Sequence, residues 1–124
     1  MKVLLLGRRG KVGSVLGPAL EAAGHVLVDS SDAADAAVDF TRPDAVEANV
    51  RDCLEAGVPV VVGTSGFDRE RLAALAREHA LPVFYAPNFA LGAVLMLRFA
   101  AEAAKLMPRA EIVELHHETK LDAP

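Results

Sequence analysis

Three glycines stand at three-residue spacing in Gly7-Arg8-Arg9-Gly10-Lys11-Val12-Gly13, directly after the apolar run Val3 to Leu6. A dinucleotide pyrophosphate needs such a turn: no side chain in its way, backbone N–H groups aimed at its oxygens, and the positive end of a helix behind them. Arg9 occupies the place of the usual fingerprint's second glycine, so the argument rests on position between a strand and a helix more than on spacing. Asp29 lies about 20 residues beyond Gly7, where a carboxylate can accept the hydroxyls of an adenosine ribose and repel a 2′-phosphate. Ser30 and Ser31 follow it, not an arginine, while Arg8 or Arg9 could hold a 2′-phosphate from the turn, so NADH and NADPH both stay open. The plainer account is a glycine turn that merely joins a strand to a helix and an Asp that caps the next turn.

Two further strings, Asp39-Phe40-Thr41-Arg42-Pro43 and Gly63-Thr64-Ser65-Gly66-Phe67, follow apolar runs. In an open parallel sheet, ligands bind outside the carboxyl ends of the strands, so both should face the same ligand. Phe40 and Arg42 could sandwich an adenine, and Gly63, Thr64 and Ser65 offer small residues to a nicotinamide or ribose. Singly, Thr41 and Asp68 are explained as helix starts. The string Glu114-Leu115-His116-His117-Glu118-Thr119-Lys120 holds two of the chain's four histidines. Neighbouring strand residues point to opposite faces, which argues against a zinc site on this pair. A loop turning His116, His117 and Lys120 to one space would make an anionic-substrate site with a proton donor of near-neutral pKa, whereas a solvated strand end needs no ligand at all. Cys53 has no base partner in sequence and reads as packing.

The elements that must position these residues are short apolar runs alternating with stretches of helical spacing. Strands are expected at Val3 to Leu6, Val26 to Val28, Ala36 to Phe40, Val58 to Val62, Val83 to Tyr85 and Ile112 to Leu115. Helices are expected at Val12 to Ala23, Pro43 to Ala56, Asp68 to His79 and Gly92 to Met107. Strand–helix alternation with unalternating apolar strands predicts an α/β fold, a parallel sheet with helices on both faces. Pro43 and Asp68 suit helix starts, and Gly24 and Gly57 suit helix ends. Between Val28 and Ala36 the chain is too short for a full crossover helix. The expected division is a domain over residues 1–91 followed by 92–124, one helix and one strand that begin a second, α+β domain whose remainder is absent.

A net charge of −4 with pI near 5.5 disfavours nucleic acid as partner, and a single cysteine excludes an internal disulfide. No apolar stretch reaches the roughly 20 residues of a membrane span, so a cytoplasmic, soluble protein is expected.

Together these strings resemble dihydrodipicolinate reductase, the nicotinamide-dependent family of the diaminopimelate route to lysine. The turn ending Gly10-Lys11-Val12-Gly13 looks like the family's G-R-M-G. D-F-T-R-P and G-T-S-G-F look like its D-F-T-x-P and G-T-T-G-F, and A-P-N-F-A-L-G like its A-x-N-F-S-x-G. E-L-H-H-E-T-K-L-D-A-P resembles its highly specific signature E-x-H-H-x-x-K-x-D-A-P-S-G-T. The likeness runs through the whole chain and about half of the family's length. It implies a Rossmann-type nucleotide domain with NADH and/or NADPH as cofactor. Gly7, Arg8, Arg9, Gly10, Lys11 and Val12 would lie at its phosphates, Asp29 at its ribose, and Phe40 and Arg42 at its adenosine part. Gly63, Thr64, Ser65, Ala86, Pro87, Asn88 and Phe89 would surround the nicotinamide. It further implies His116 and Lys120 as catalytic groups, either of them the proton donor, His117 as a contact to a dicarboxylate substrate, reduction to tetrahydrodipicolinate, no metal, and a homotetramer. Stopping before the family's Ser-Gly-Thr segment, the chain should bind cofactor and turn over little substrate. A nucleotide-sensing module without chemistry is the alternative, and it leaves His116 to Pro124 without a purpose.

Overall fold

The computed structural model describes residues 1–107, 109–111 and 113. Five strands form one parallel sheet: β1 (Lys2–Leu6), β2 (Val26–Val28), β3 (Ala36–Asp39), β4 (Val60–Val62) and β5 (Val83–Tyr85), in the order β2-β1-β3-β4-β5. This is one of the common orders of doubly wound sheets, and the winding reverses between β1 and β3. Helix α1 (Gly13–Ala22) covers one face: a methyl at its Gly17 would stand 3.6 Å from both Leu5 and Leu27. Helices α2 (Val46–Glu55) and α3 (Arg69–His79) cover the other. There Val46, Val50, Cys53 and Leu54 of α2 and Leu72 and Leu75 of α3 pack on Leu4, Ala37, Val60 and Val62. The α/β class, the parallel sheet and the helices on both faces are as the alternation predicts.

Several local expectations meet their physical causes. Gly24 and Gly57 end α1 and α2 with φ of +83° and +77°, conformations that cost a residue with a Cβ. Asp68 caps α3, its Oδ1 accepting from the N–H groups of Glu70 at 2.9 Å and Arg71 at 3.1 Å. Between β2 and β3 there is only a single 3-10 turn, Ser31–Ala33, in place of a crossover helix. Pro43 does not start a helix. It sits inside a turn closed by Ala45 N–H on the Arg42 carbonyl at 3.0 Å, and α2 begins only at Val46, because the fixed φ of proline serves the second turn position as well as a helix start. The expected strand Ile112–Leu115 lies, Val113 apart, outside the described residues.

The chain divides into two units, Met1–Pro87 and Asn88–Pro124. In the second, Asn88 Oδ1 accepts from Ala90 N–H at 2.8 Å, just ahead of α4 (Leu91–Ala104), a helix with no buried residue. Among the described residues no helix is long and apolar enough to cross a membrane.

Candidate functional site

The parallel register lines up Leu6, Asp39, Val62 and Tyr85 across four strands. Their successors are therefore neighbours just beyond the carboxyl edge: Gly7, Phe40, Gly63 and Ala86. The ladder runs on into this row, with Phe40 N–H on Leu6 O at 3.1 Å, Gly63 N–H on Asp39 O at 2.9 Å and Ala86 N–H on Val62 O at 3.4 Å. Four separate stretches singled out in the sequence thus meet along one line outside the carboxyl ends of the strands, with Gly7 and Phe40 at the switch point, where an open α/β sheet binds its ligands.

The glycine turn is built without room for side chains. Gly7 has φ of +84°, and a Cβ on it would lie 2.2 Å from the Phe40 carbonyl oxygen. Gly10 N–H closes the turn on Gly7 O at 2.8 Å, and a Cβ on Gly13 would lie 2.1 Å from that same oxygen. The residue preceding α1 is Val12, which has no side-chain acceptor, so no side chain caps its first turn. Ser14 N–H donates to Gly10 O at 2.9 Å and Val15 and Leu16 N–H to Val12 O at 3.1 and 2.9 Å, so what suits an anion here is the positive end of α1 behind a turn bare of side chains.

Beside the turn a cleft of about 260 Å³ is lined by Gly7, Arg8, Arg9, Leu27, Val28 and Asp29, among others. It brings the turn's two arginines and the carboxylate after β2 together, as a pyrophosphate and ribose would require. Arg8 is held by Glu21 at 3.5 Å. A second cleft of about 220 Å³ runs from Asp29, Ser30 and Ser31 to Asn49, Asp52 and Cys53. Burial, reinforced by the charges of Asp39 and Asp52, pushes the Cys53 thiol up to about 11, which leaves it protonated and unreactive near neutrality.

Phe40 is half-buried, and its ring edge lies against Gly63, where a methyl would stand 2.1 Å from Cε1. Arg42 reaches outward to Asp44, Nε to Oδ1 at 3.2 Å, and both side chains are exposed. Thr64 is buried and Ser65 half-buried. Ala86 and Pro87 close the first unit, whereas Asn88 and the exposed Phe89 belong to the second. His116, His117 and Lys120 lie outside the described residues.

Sequence reasoning did not give a role to Asp39 and Asn49. Asp39 is fully buried, with Oδ1 accepting from Thr41 N–H at 2.9 Å, Thr41 Oγ1 at 2.7 Å and Thr64 Oγ1 at 2.9 Å, and Oδ2 from Asn49 Nδ2 at 2.7 Å. A signal existed: Asn49 falls at helical spacing on the same face as Val46, Val50 and Cys53, a polar residue in an apolar stripe.

Residues 24–89 match the family model described as "Dihydrodipicolinate reductase, N-terminus". The chain is similar throughout its length to the 4-hydroxy-tetrahydrodipicolinate reductases of Beutenbergia cavernae, 46% identical over 139 positions, and Corynebacterium aurimucosum, 45% identical over 140. It spans about half of these relatives, 56% of each. Both matched stretches exceed its 124 residues, so these relatives carry residues within the match that this chain lacks. Among solved structures it is similar to a dipicolinate-bound dihydrodipicolinate reductase from Paenisporosarcina sp. TG-14. The two share 32% sequence identity at a TM-score of 0.69, over 100% of this chain and 61% of that one.

Proposed function

The chain belongs to the dihydrodipicolinate reductase family, and on that premise we propose that it is the cofactor-binding portion of a cytoplasmic, homo-oligomeric reductase of lysine biosynthesis, taking NADH or NADPH and acting on a cyclic dihydrodipicolinate-type dicarboxylate. The observation that carries this reading is the row Gly7, Phe40, Gly63 and Ala86 along one sheet edge, with Asp29 in the cleft beside it. The turn from Gly7 to Val12, with the positive end of α1 behind it, holds the phosphates. Asp29 accepts from the adenosine ribose. Phe40 and Arg42 flank the adenosine part, and Gly63 to Ser65 with Ala86 to Phe89 enclose the nicotinamide. Bound nicotinamide supplies a hydride to the substrate ring. His116 and Lys120 serve the accompanying protonation, while cationic His117 and Lys120 offset the dicarboxylate's charge.

Titration with NADH, followed by its own fluorescence, tests the cofactor reading. Saturable binding is expected, and Asp29→Asn should weaken NADH about fivefold, the loss of roughly 1 kcal/mol of hydrogen bonding. NADPH should lose less, since a repelling charge goes as well. A flat NADH titration overturns the reading. Dipicolinate that strengthens NADH binding favours the reductase over a sensing module, which has no reason to respond. In an active reductase, Lys120→Met or His116→Gln should lower kcat by about 10²–10⁴-fold with little change in cofactor affinity; near-normal turnover would remove them from catalysis.

A further inference from the structure

We propose that Asp39 is the positioning residue of this site: through the hydroxyls of Thr41 and Thr64 it locks the loop after β3 to the loop after β4, with Asn49 of α2 fixing its second oxygen. The inference rests on the dinucleotide reading above and adds to it the group that sets the cleft's shape. A carboxylate with no exposure to solvent is costly unless its lone pairs are filled, and apolar side chains would occupy a β-strand's inner face more cheaply, as Val62 does on the neighbouring strand. Here every donor is neutral and each comes from a part that must be held. Thr41 gives both its N–H and its hydroxyl, 2.9 and 2.7 Å away, Thr64 gives its hydroxyl at 2.9 Å, and Asn49 gives its amide at 2.7 Å. Asn49 also donates to Thr41 Oγ1 at 3.2 Å, so the three segments form one connected network.

The consequence runs outward to the ligand walls. Because Thr41 and Thr64 share one oxygen of Asp39, the separation of their loops is fixed. Phe40, between Asp39 and Thr41, then has its ring against Gly63 and its carbonyl against Gly7, the contacts that leave no space for a Cβ at either glycine. One buried carboxylate thereby sets the glycine turn, the Phe40 wall and the Gly63 wall relative to one another. Asp39 touches no ligand in this scheme. It acts through the loops.

A polarity swap tests this. Asp39→Asn sets amide N–H donors against those of Asn49, a clash relieved only if Asn49 turns its amide over and gives up Thr41 Oγ1, and Asn49→Asp sets carboxylate against carboxylate. The double variant Asp39→Asn/Asn49→Asp restores a donor–acceptor pair in reverse. NADH, which spans both loops, is compared in the 124-residue chain with ADP, which needs the glycine turn, Asp29 and the loop after β3 but not the loop after β4, and so depends less on the separation of the two. Each single variant should raise the NADH Kd about tenfold and the ADP Kd less than about threefold, and the double variant should return NADH to within about threefold of the parent. If a single variant does not fold, Thr41→Val, which loses only the hydroxyl that donates to Asp39 and accepts from Asn49, should still shift NADH against ADP. Equal losses for the two ligands, no loss, or no recovery in the double variant overturn the positioning role while leaving the dinucleotide site standing. A parent that binds neither ligand overturns the dinucleotide reading and this inference together.

Discussion

Gly7 and Gly24 hold nearly the same left-handed backbone, φ of +84° and +83°, but a Cβ on Gly24 meets nothing within 4 Å whereas one on Gly7 runs into the Phe40 carbonyl at 2.2 Å. Conformation alone costs an alanine about 1 kcal/mol. Gly24→Ala should therefore lower unfolding free energy by about 1 kcal/mol in urea, and Gly7→Ala by roughly 3 kcal/mol or more, since backbone must move. Equal costs would mean that the Gly7–Phe40 packing adds nothing. The glycines were legible in sequence because their role depends on a local turn. The pairing of Asp39 with Thr64 and Asn49 was not, since it is made by strand register and helix placement. Cys53 shows the same limit, its surroundings becoming visible only once folded. With its pKa pushed up to about 11, the thiol should resist iodoacetamide at pH 8 in the folded chain and react readily in urea. Its protonated form is favoured by folding, so as pH rises above the ordinary value of 9.0 the folded state loses stability relative to the unfolded one. Fast alkylation of native protein at pH 8 would contradict that burial.

The elements themselves follow from punctuation where the signal is local. Asp68 is readable as a cap from type and place, and Asp68→Ala, which removes two accepted N–H bonds, should cost about 1 kcal/mol, measured as a lower urea midpoint at unchanged m-value. A change below a few tenths would show the cap to be redundant. Pro43 carries an equally local signal that two structures can satisfy, and the turn Arg42–Ala45 uses it instead of a helix start. The link from β2 to β3 is a third case. Its length excludes a crossover helix, but only the strand pairing shows that it passes β1 to reach that strand's other side, which places Asp29 and Asp39 on opposite sides of β1.

At the scale of the molecule, the described residues distribute burial unevenly between the two units. All of the fully buried apolar residues, from Val3 to Leu75, lie in Met1–Pro87 together with the five strands, whereas α4 buries nothing and exposes Leu91 at 72%, Met96 at 60% and Phe99 at 67%. A helix apolar on nearly every side is stable in water only when covered, and Arg98 and Glu102 are the only charged residues along it. Residues 1–91 should therefore unfold cooperatively with a free energy within about 1 kcal/mol of that of the 124-residue chain, since the shortening removes none of this core. The shortened chain should also bind NADH with a Kd within about threefold of the parent's, having kept the turn, Asp29 and the row along the sheet edge. The 124-residue chain should associate as its concentration rises, and residues 1–91 should sediment as a monomer throughout. Sedimentation velocity at several concentrations decides the matter. A parent that stays monomeric would show that α4 finds cover within its own chain in solution, and a shortened chain that fails to fold would show that the first unit's core depends on residues beyond it.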